Sequence, residues 1–240
     1  MEPREQIIIE LQNAREKMFT CKVLDILAQG KLPKEDWIIF AVQRYLAASH
    51  FEKLLEAGLS KAESGSPLAL ALQNNLNDEH GDNEEHSHAT WRKDFYNTIG
   101  ATEQVIQKSV LLEGTQFYFD ELTKIAQENV LKIAGALLVL EFTIPYEFKK
   151  IQLGRDKTFE NEFIDKLNDS EKLKLKKAKA RMYIDDHILH DARSHYPELL
   201  SALEPYLTNH DDYVQIKEGI VWVTNAKQKF YESLDKKLMT

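Results

Sequence analysis

The chain has 240 residues, 43% apolar and 29% charged, with a formal net charge of -8. That length buries a sizeable core without a metal or disulfide staple. Nine Gly and six Pro are about half the usual share of roughly 12%, so turns are scarce, which argues against sandwiches, barrels and many-stranded sheets. Neither GxGxxG nor a P-loop pattern occurs, so a nucleotide-binding α/β fold is unsupported. The acidic balance opposes nucleic acid and anionic membranes as partners. A single cysteine, Cys21, fits a reducing compartment. The first residues lack a signal-peptide pattern. The longest apolar run, Ile133 to Leu140, falls well short of the roughly 20 residues of a membrane helix. An all-α, cytoplasmic protein without a transmembrane segment is expected.

Helical periodicity continues along the whole chain. Ile7, Leu11, Ala14 and Met18 mark a first helix stopped by Gly30-Lys31-Leu32-Pro33. A second begins near Lys34, with Trp37, Phe40, Ala41, Tyr45, Ala48, Phe51 and Leu55 on one stripe. Pro67 suits the first helical position of a third, which is expected to dissolve in the polar run from Asn77 to Asn83. Trp91, Phe95 and Ile99 mark a short helix ending at Gly100, and residues 101–128 read as two more split near Gly114. A strongly apolar helix spans about Val130 to Leu153 with Gly154 as its stop, and Pro145 should kink it. Residues 170–203 read as one long helix, and 211–238 as the last. The basic run from Lys172 through Lys174, Lys176, Lys177 and Lys179 to Arg181 reads as a solvated face. With no repeat or flexible linker, residues 1–240 read as one domain.

The histidines are unevenly placed. His80, His86 and His88 form one cluster and His187, His190 and His195 another, both crowded with carboxylates that include Glu79, Glu85, Asp186 and Asp191. Imidazole with carboxylate suits iron, manganese or zinc. On one continuous helix His187, Asp191 and His195 fall within about 80° of arc. Glu141 lies inside the most apolar stretch of the chain, where a carboxylate must be paired, protonated or metal-bound. A buried ion pair, a protonated carboxyl and a solvated histidine face are the competing structural readings. A Glu and a His at adjoining helix ends, a buried Glu and a His-Asp-His stripe have the ligand count of a carboxylate-bridged di-iron centre. Glu-x-x-His occurs here once, as Glu85-x-x-His88, whereas the ferritin-like layout needs it twice.

Three elements together resemble the haem-oxygenase-fold di-iron oxidases of the CADD-like group, within the TenA/PqqC-like superfamily. They are Asn77-Asp78-Glu79 followed by His88, Trp91, Phe95 and Gly100; then Glu141-Phe142-Thr143-Ile144-Pro145; then His187 with Asp191. The resemblance implies a haem-oxygenase-like bundle of about seven or eight helices. It also implies two Fe ions per chain held by Glu79, His88, Glu141, His187, Asp191 and His195, and O2-dependent oxidation of a small organic substrate, usually in a homodimer. Tyr45, Trp91, Phe142 and Tyr183 are candidate substrate-binding residues, although aromatic residues at this spacing are more often plain core.

The sequence also departs from the family. Ser194 stands where the family carries its last histidine, so His195 must substitute or the second iron is held weakly. His86 competes with His88 as a ligand. The tyrosine and lysine consumed by an aminobenzoate-forming relative correspond to Cys21 and Ile151, which does not support that reaction. No histidine lies in residues 1–30 to ligate haem. The alternative is a non-catalytic helical binding protein of the same fold.

Overall fold

A computed structural model describes residues 2–81 and 87–239, with backbone only at Asp191. Twelve helices occur among the described residues: α1 (Pro3–Met18), α2 (Val23–Ala28), α3 (Lys34–Lys61), α4 (Pro67–His80), α5 (His88–Thr98), α6 (Glu103–Lys108), α7 (Glu113–Ile125), α8 (Val130–Thr158), α9 (Glu160–Phe163), α10 (Glu171–Arg193), α11 (His195–Leu207) and α12 (His210–Leu238). The all-helical class matches the expectation. The count exceeds the seven or eight implied by the resemblance because nine helices are read along the chain, two of them are divided and the four-residue α9 is added.

Most helix starts carry a side-chain cap satisfying first-turn N–H groups. Ser66 accepts from Ala69 ahead of α4, Ser87 from Thr90 in α5, and Asn129 from Leu131 and Lys132 in α8. The Ser87 cap makes His88 the first residue of α5.

Several boundaries differ from the sequence reading, each for a local reason. The first expected helix is two, α1 and α2, and Asp235 caps the start of α2 by accepting from the Lys22 and Val23 backbones. Helix α4 does not dissolve at Asn77 but continues to His80, where Gly81 at φ 66° ends it. Gly114 lies inside α7, and the break falls before it. Gly154 does not stop α8. A Cβ there would stand 2.5 Å from the Leu27 carbonyl oxygen, so the glycine serves a close approach to α2. Pro145 sits within the continuous α8 and removes the N–H that would bond to the Glu141 carbonyl. The expected helix over 170–203 breaks at Ser194, giving α10 and α11. The basic run is not wholly solvated, since Lys177 is buried and donates to the Ile164 carbonyl at 2.8 Å and to Asp169 at 2.6 Å.

Helix α8 runs through the middle of the bundle, in contact with α12, α10, α2, α3 and α11. Every residue from Ile133 to Leu140 is buried, which explains the unbroken apolar run. Where α8 crosses α12, a Cβ on Gly135 would lie 2.0 Å from the Ile216 carbonyl oxygen, and one on Gly219 2.0 Å from that of Lys132. Both obstacles are backbone, so an added methyl forces the helices apart. Gly135→Ala should therefore lower unfolding free energy by about 1–3 kcal/mol, read from denaturant titration. A variant as stable as the parent would show that the crossing accommodates a side chain.

Candidate metal centre

The end of α4, the start of α5, the middle of α8 and the last turns of α10 bring their polar residues to one buried place. Glu79, His88 and His187 each offer a ligand atom, all within 4.8 Å of one another, and all three residues are buried. His88 Nδ1 is 3.1 Å from Glu79 Oε1, and the His88 and His187 ring centroids are 4.8 Å apart. Glu141, 1% exposed, accepts a short hydrogen bond from the Asn75 amide at Oε1, while its Oε2 has no hydrogen-bond partner among the described residues. Asn75 and Glu79 are four residues apart on α4 and so share a face.

Second-layer contacts fix which ring nitrogen carries a proton. His187 Nδ1 lies 2.7 Å from the Tyr183 carbonyl oxygen. A carbonyl only accepts, so Nδ1–H donates and Nε2 keeps its lone pair. His88 Nε2 lies 2.8 Å from Asp186 Oδ2, so Nε2–H donates there and Nδ1 is turned to Glu79. Carboxylate or carbonyl support of a ligating imidazole is the usual outer layer of a metal site. Phe148 stacks on His187 with centroids 4.3 Å apart.

Electrostatics follow from that layout. Burial would depress His88, but Asp186 and Glu79 raise its pKa to about 10, so it is an imidazolium between two carboxylates. Burial would raise Glu79, yet the His88 hydrogen bond and charge, with His187 and Arg92, hold it at about 2. Burial and the adjacent His88 charge push His187 down to about 3, keeping it neutral. Burial raises Glu141 to about 8 against the Asn75 hydrogen bond, with the Glu79 charge adding to the rise. A proton on His88 thus supplies the positive charge at the centre. One neutral imidazole with an oriented lone pair, a second that gains one at Nδ1 when its proton leaves, one ionised carboxylate and one incompletely bonded buried carboxyl fit a first-row divalent ion.

The remaining sequence candidates lie as follows. His195 begins α11, and its Nε2 is 3.2 Å from Asp78 Oδ2. The break at Ser194 means that His187 and His195 do not share a continuous helix. The Asp191 side chain, and His86 with Glu85, lie outside the described residues. Tyr183 packs on His187 with centroids 4.5 Å apart. Trp91 is 5.5 Å from the His88 ring, Tyr45 packs on Tyr96, and Phe142 packs on Tyr196.

Sequence reasoning missed a second buried polar group. Glu147, fully buried, pairs with Arg44 Nε at 2.5 Å and Lys227 Nζ at 2.7 Å. A cavity of about 40 Å³ is lined by residues of both groups, Arg44 and Lys227 from this one and Glu79 and His187 from the other, together with Ile144 and Tyr183. Arg44, Glu147 and Lys227 occupy positions of the apolar stripes of α3, α8 and α12, a signal legible in the sequence. Cys21 is buried, and burial with the Asp235 charge raises its thiol to about 12, so it is no thiolate nucleophile.

Residues 38–227 match a family described as iron-containing redox enzymes. The chain belongs to that family. Its fold is that of a CADD-like protein of unknown function from Nostoc punctiforme, with a TM-score of 0.74 at 14% identity, covering 98% of this chain and 100% of that one. A TenA homologue from Pseudomonas syringae gives 0.75 at 11%, covering 97% and 92%. One from P. horikoshii gives 0.66 at 15%, covering 98% and 99%. At such identities the likeness is one of fold alone. No curated protein matches the chain. Among the described residues no helix is long and apolar enough to cross a membrane.

The Glu147 group generates a pH prediction. Burial opposes its ionisation, but Arg44 and Lys227 lower its pKa from 4.5 to about 2. A carboxylate depressed on folding contributes stability above its unfolded pKa and loses it as pH falls through the folded value. Glu147→Gln should therefore cost about 3–5 kcal/mol at pH 7, because two cations lose their buried partner. The deficit relative to wild type should shrink between pH 4.5 and 2. Urea titrations across that range check it, and a deficit independent of pH would refute the charge-pairing account.

Proposed function

We propose that the chain is a non-haem di-iron oxidase that uses O2 to oxidise a small organic substrate. The observation that carries this reading is Glu141, a carboxyl in the core of α8 with one oxygen lacking a hydrogen-bond partner among the described residues and with the Glu79 charge opposing its ionisation. Glu79, His88 and His187 would hold one iron, Glu141 would supply a further carboxylate to the centre, and Asp191 and His195 are the residues the resemblance assigns to a second ion. Bound iron supplies the electrons that activate O2.

The chain's own groups have definable tasks. Asp186 and the Tyr183 carbonyl hold the outer protons of His88 and His187, so each ring presents its other nitrogen to the centre. Phe148 and Tyr183 pack around the His187 ring and keep water from it. Tyr183 and Ile144 wall the cavity against His187, while Trp91 borders His88 on the side of an open surface depression. Membership of an iron-containing redox family supports iron as the metal. In this reading two copies of the chain associate in the cytoplasm and act on a small molecule.

A metal-free binding protein is the second reading, favoured by one observation: His88 is fully satisfied between Glu79 and Asp186 without any ion. Anaerobic Fe(II) titration of metal-stripped protein separates the two. The oxidase reading expects two irons per chain in the wild type and at least a tenfold loss of affinity in Glu141→Ala, with helicity unchanged by circular dichroism. Absence of iron uptake would leave the binding-protein reading, and undiminished iron in Glu141→Ala would remove Glu141 from the centre.

A further inference from the structure

We infer that a distinct outer site for a divalent first-row transition metal is formed by Asp78, His190 and His195. The inference deepens the reading above and rests on it for iron as the metal in use, but it joins His195 to Asp78 and His190, neither of them among the six residues assigned by resemblance, so the two metals of the chain would be an inner one at Glu79, His88 and His187 and this outer one. Nε2 of His190 and Nε2 of His195 converge on the same atom, Asp78 Oδ2, at 3.0 and 3.2 Å. Ligands about 2.1 Å from a metal stand about 3.0 Å apart at the corners of an octahedron and about 3.4 Å apart in a tetrahedron. The observed separations lie in that interval. All three ligand atoms lie within 4.8 Å of one another.

Three helices build the site. Asp78 is in the last turn of α4, His190 in the last turn of α10, and His195 is the first residue of α11. The break at Ser194 takes His195 off the α10 helix and lets it meet Asp78. A surface ion pair would need only one exposed imidazole. Here the second, His195, is 4% exposed in its side chain, while Asp78 and His190 are 44% exposed. One wall is therefore rigid, and the other opens to solvent, which can supply the remaining ligands. An open depression along α10, bordered by Trp91, Leu189, His190, Arg193 and Ser194, provides access. Two imidazoles and one carboxylate select Fe2+, Mn2+, Co2+ or Zn2+ over Mg2+ and Ca2+.

The test titrates Co(II), as a visible-band probe, into metal-stripped wild type and into Asp78→Asn, His190→Ala and His187→Ala. Bound metal is counted after equilibrium dialysis, and folding is checked by circular dichroism. Wild type should bind two cobalts, and Asp78→Asn and His190→Ala should each bind one fewer. His187→Ala should weaken the inner cobalt at least tenfold and leave the outer one. Wild-type stoichiometry and affinity in both outer variants would overturn this assignment and leave the inner reading standing. A single wild-type cobalt lost only in His187→Ala would do the same. A single cobalt lost only in the two outer variants would support this site and overturn the inner one. No binding to wild type would overturn both, and loss of all cobalt in either outer variant would overturn the separation into two sites.

Discussion

Charge matching away from water governs the centre of this bundle. An isolated ion costs several kcal/mol to bury, yet Glu79, Glu147, Arg44, Lys227, His88 and Glu141 are all buried. Each partner comes from a different helix: α3 and α12 answer Glu147 of α8, while α4 and α10 answer His88 of α5. Apolar packing drives the chain to collapse, but these pairings fix which helices meet and in what rotation. Glu141 is the least satisfied member, with Asn75 on one oxygen only.

Backbone geometry serves the same end. The glycines at the α8–α12 crossing let the two helices approach to backbone contact, and the same pair of helices carries Glu147 and Lys227. Pro145 leaves α8 unbroken while freeing the Glu141 carbonyl from its helical donor. The Ser87 cap places His88 at the mouth of α5, opposite Asp186. Polar side chains drawn from four helix segments are thus held by caps, crossings and ion pairs rather than by loops.

Much of this was legible in the residues. The helical class followed from scarce turn formers and 3.6-residue periodicity, and Glu141 stood out because a carboxylate interrupts the most apolar run. Arg44, Glu147 and Lys227 escaped notice because each is a lone charged residue outside the histidine clusters. Only stripes such as Leu140, Ile144, Glu147, Ile151 show that such a residue must face inward. The break at Ser194 had one mark that went unread, Pro197, which suits the first turn of a new helix and not the interior of a continuous one. With it went the pairing of His195 with Asp78, a contact made across the fold and absent from any local pattern. The stop expected at Gly154 failed because the same residue that ends helices also admits a neighbouring backbone.

The imidazolium of His88 gives the inner site an exchange character. While that proton is present it offsets one of the two charges of Glu79 and Asp186, and the protonated Glu141 carboxyl adds no charge. A dication arriving among these groups must evict the proton from His88 Nδ1 and favours ionisation of Glu141. Under the proposed function, loading the protein with metal is therefore an acid-releasing reaction. Hydrogen ions and metal ions become rivals for one cage, and a fall in pH acts on the centre as a chelator would.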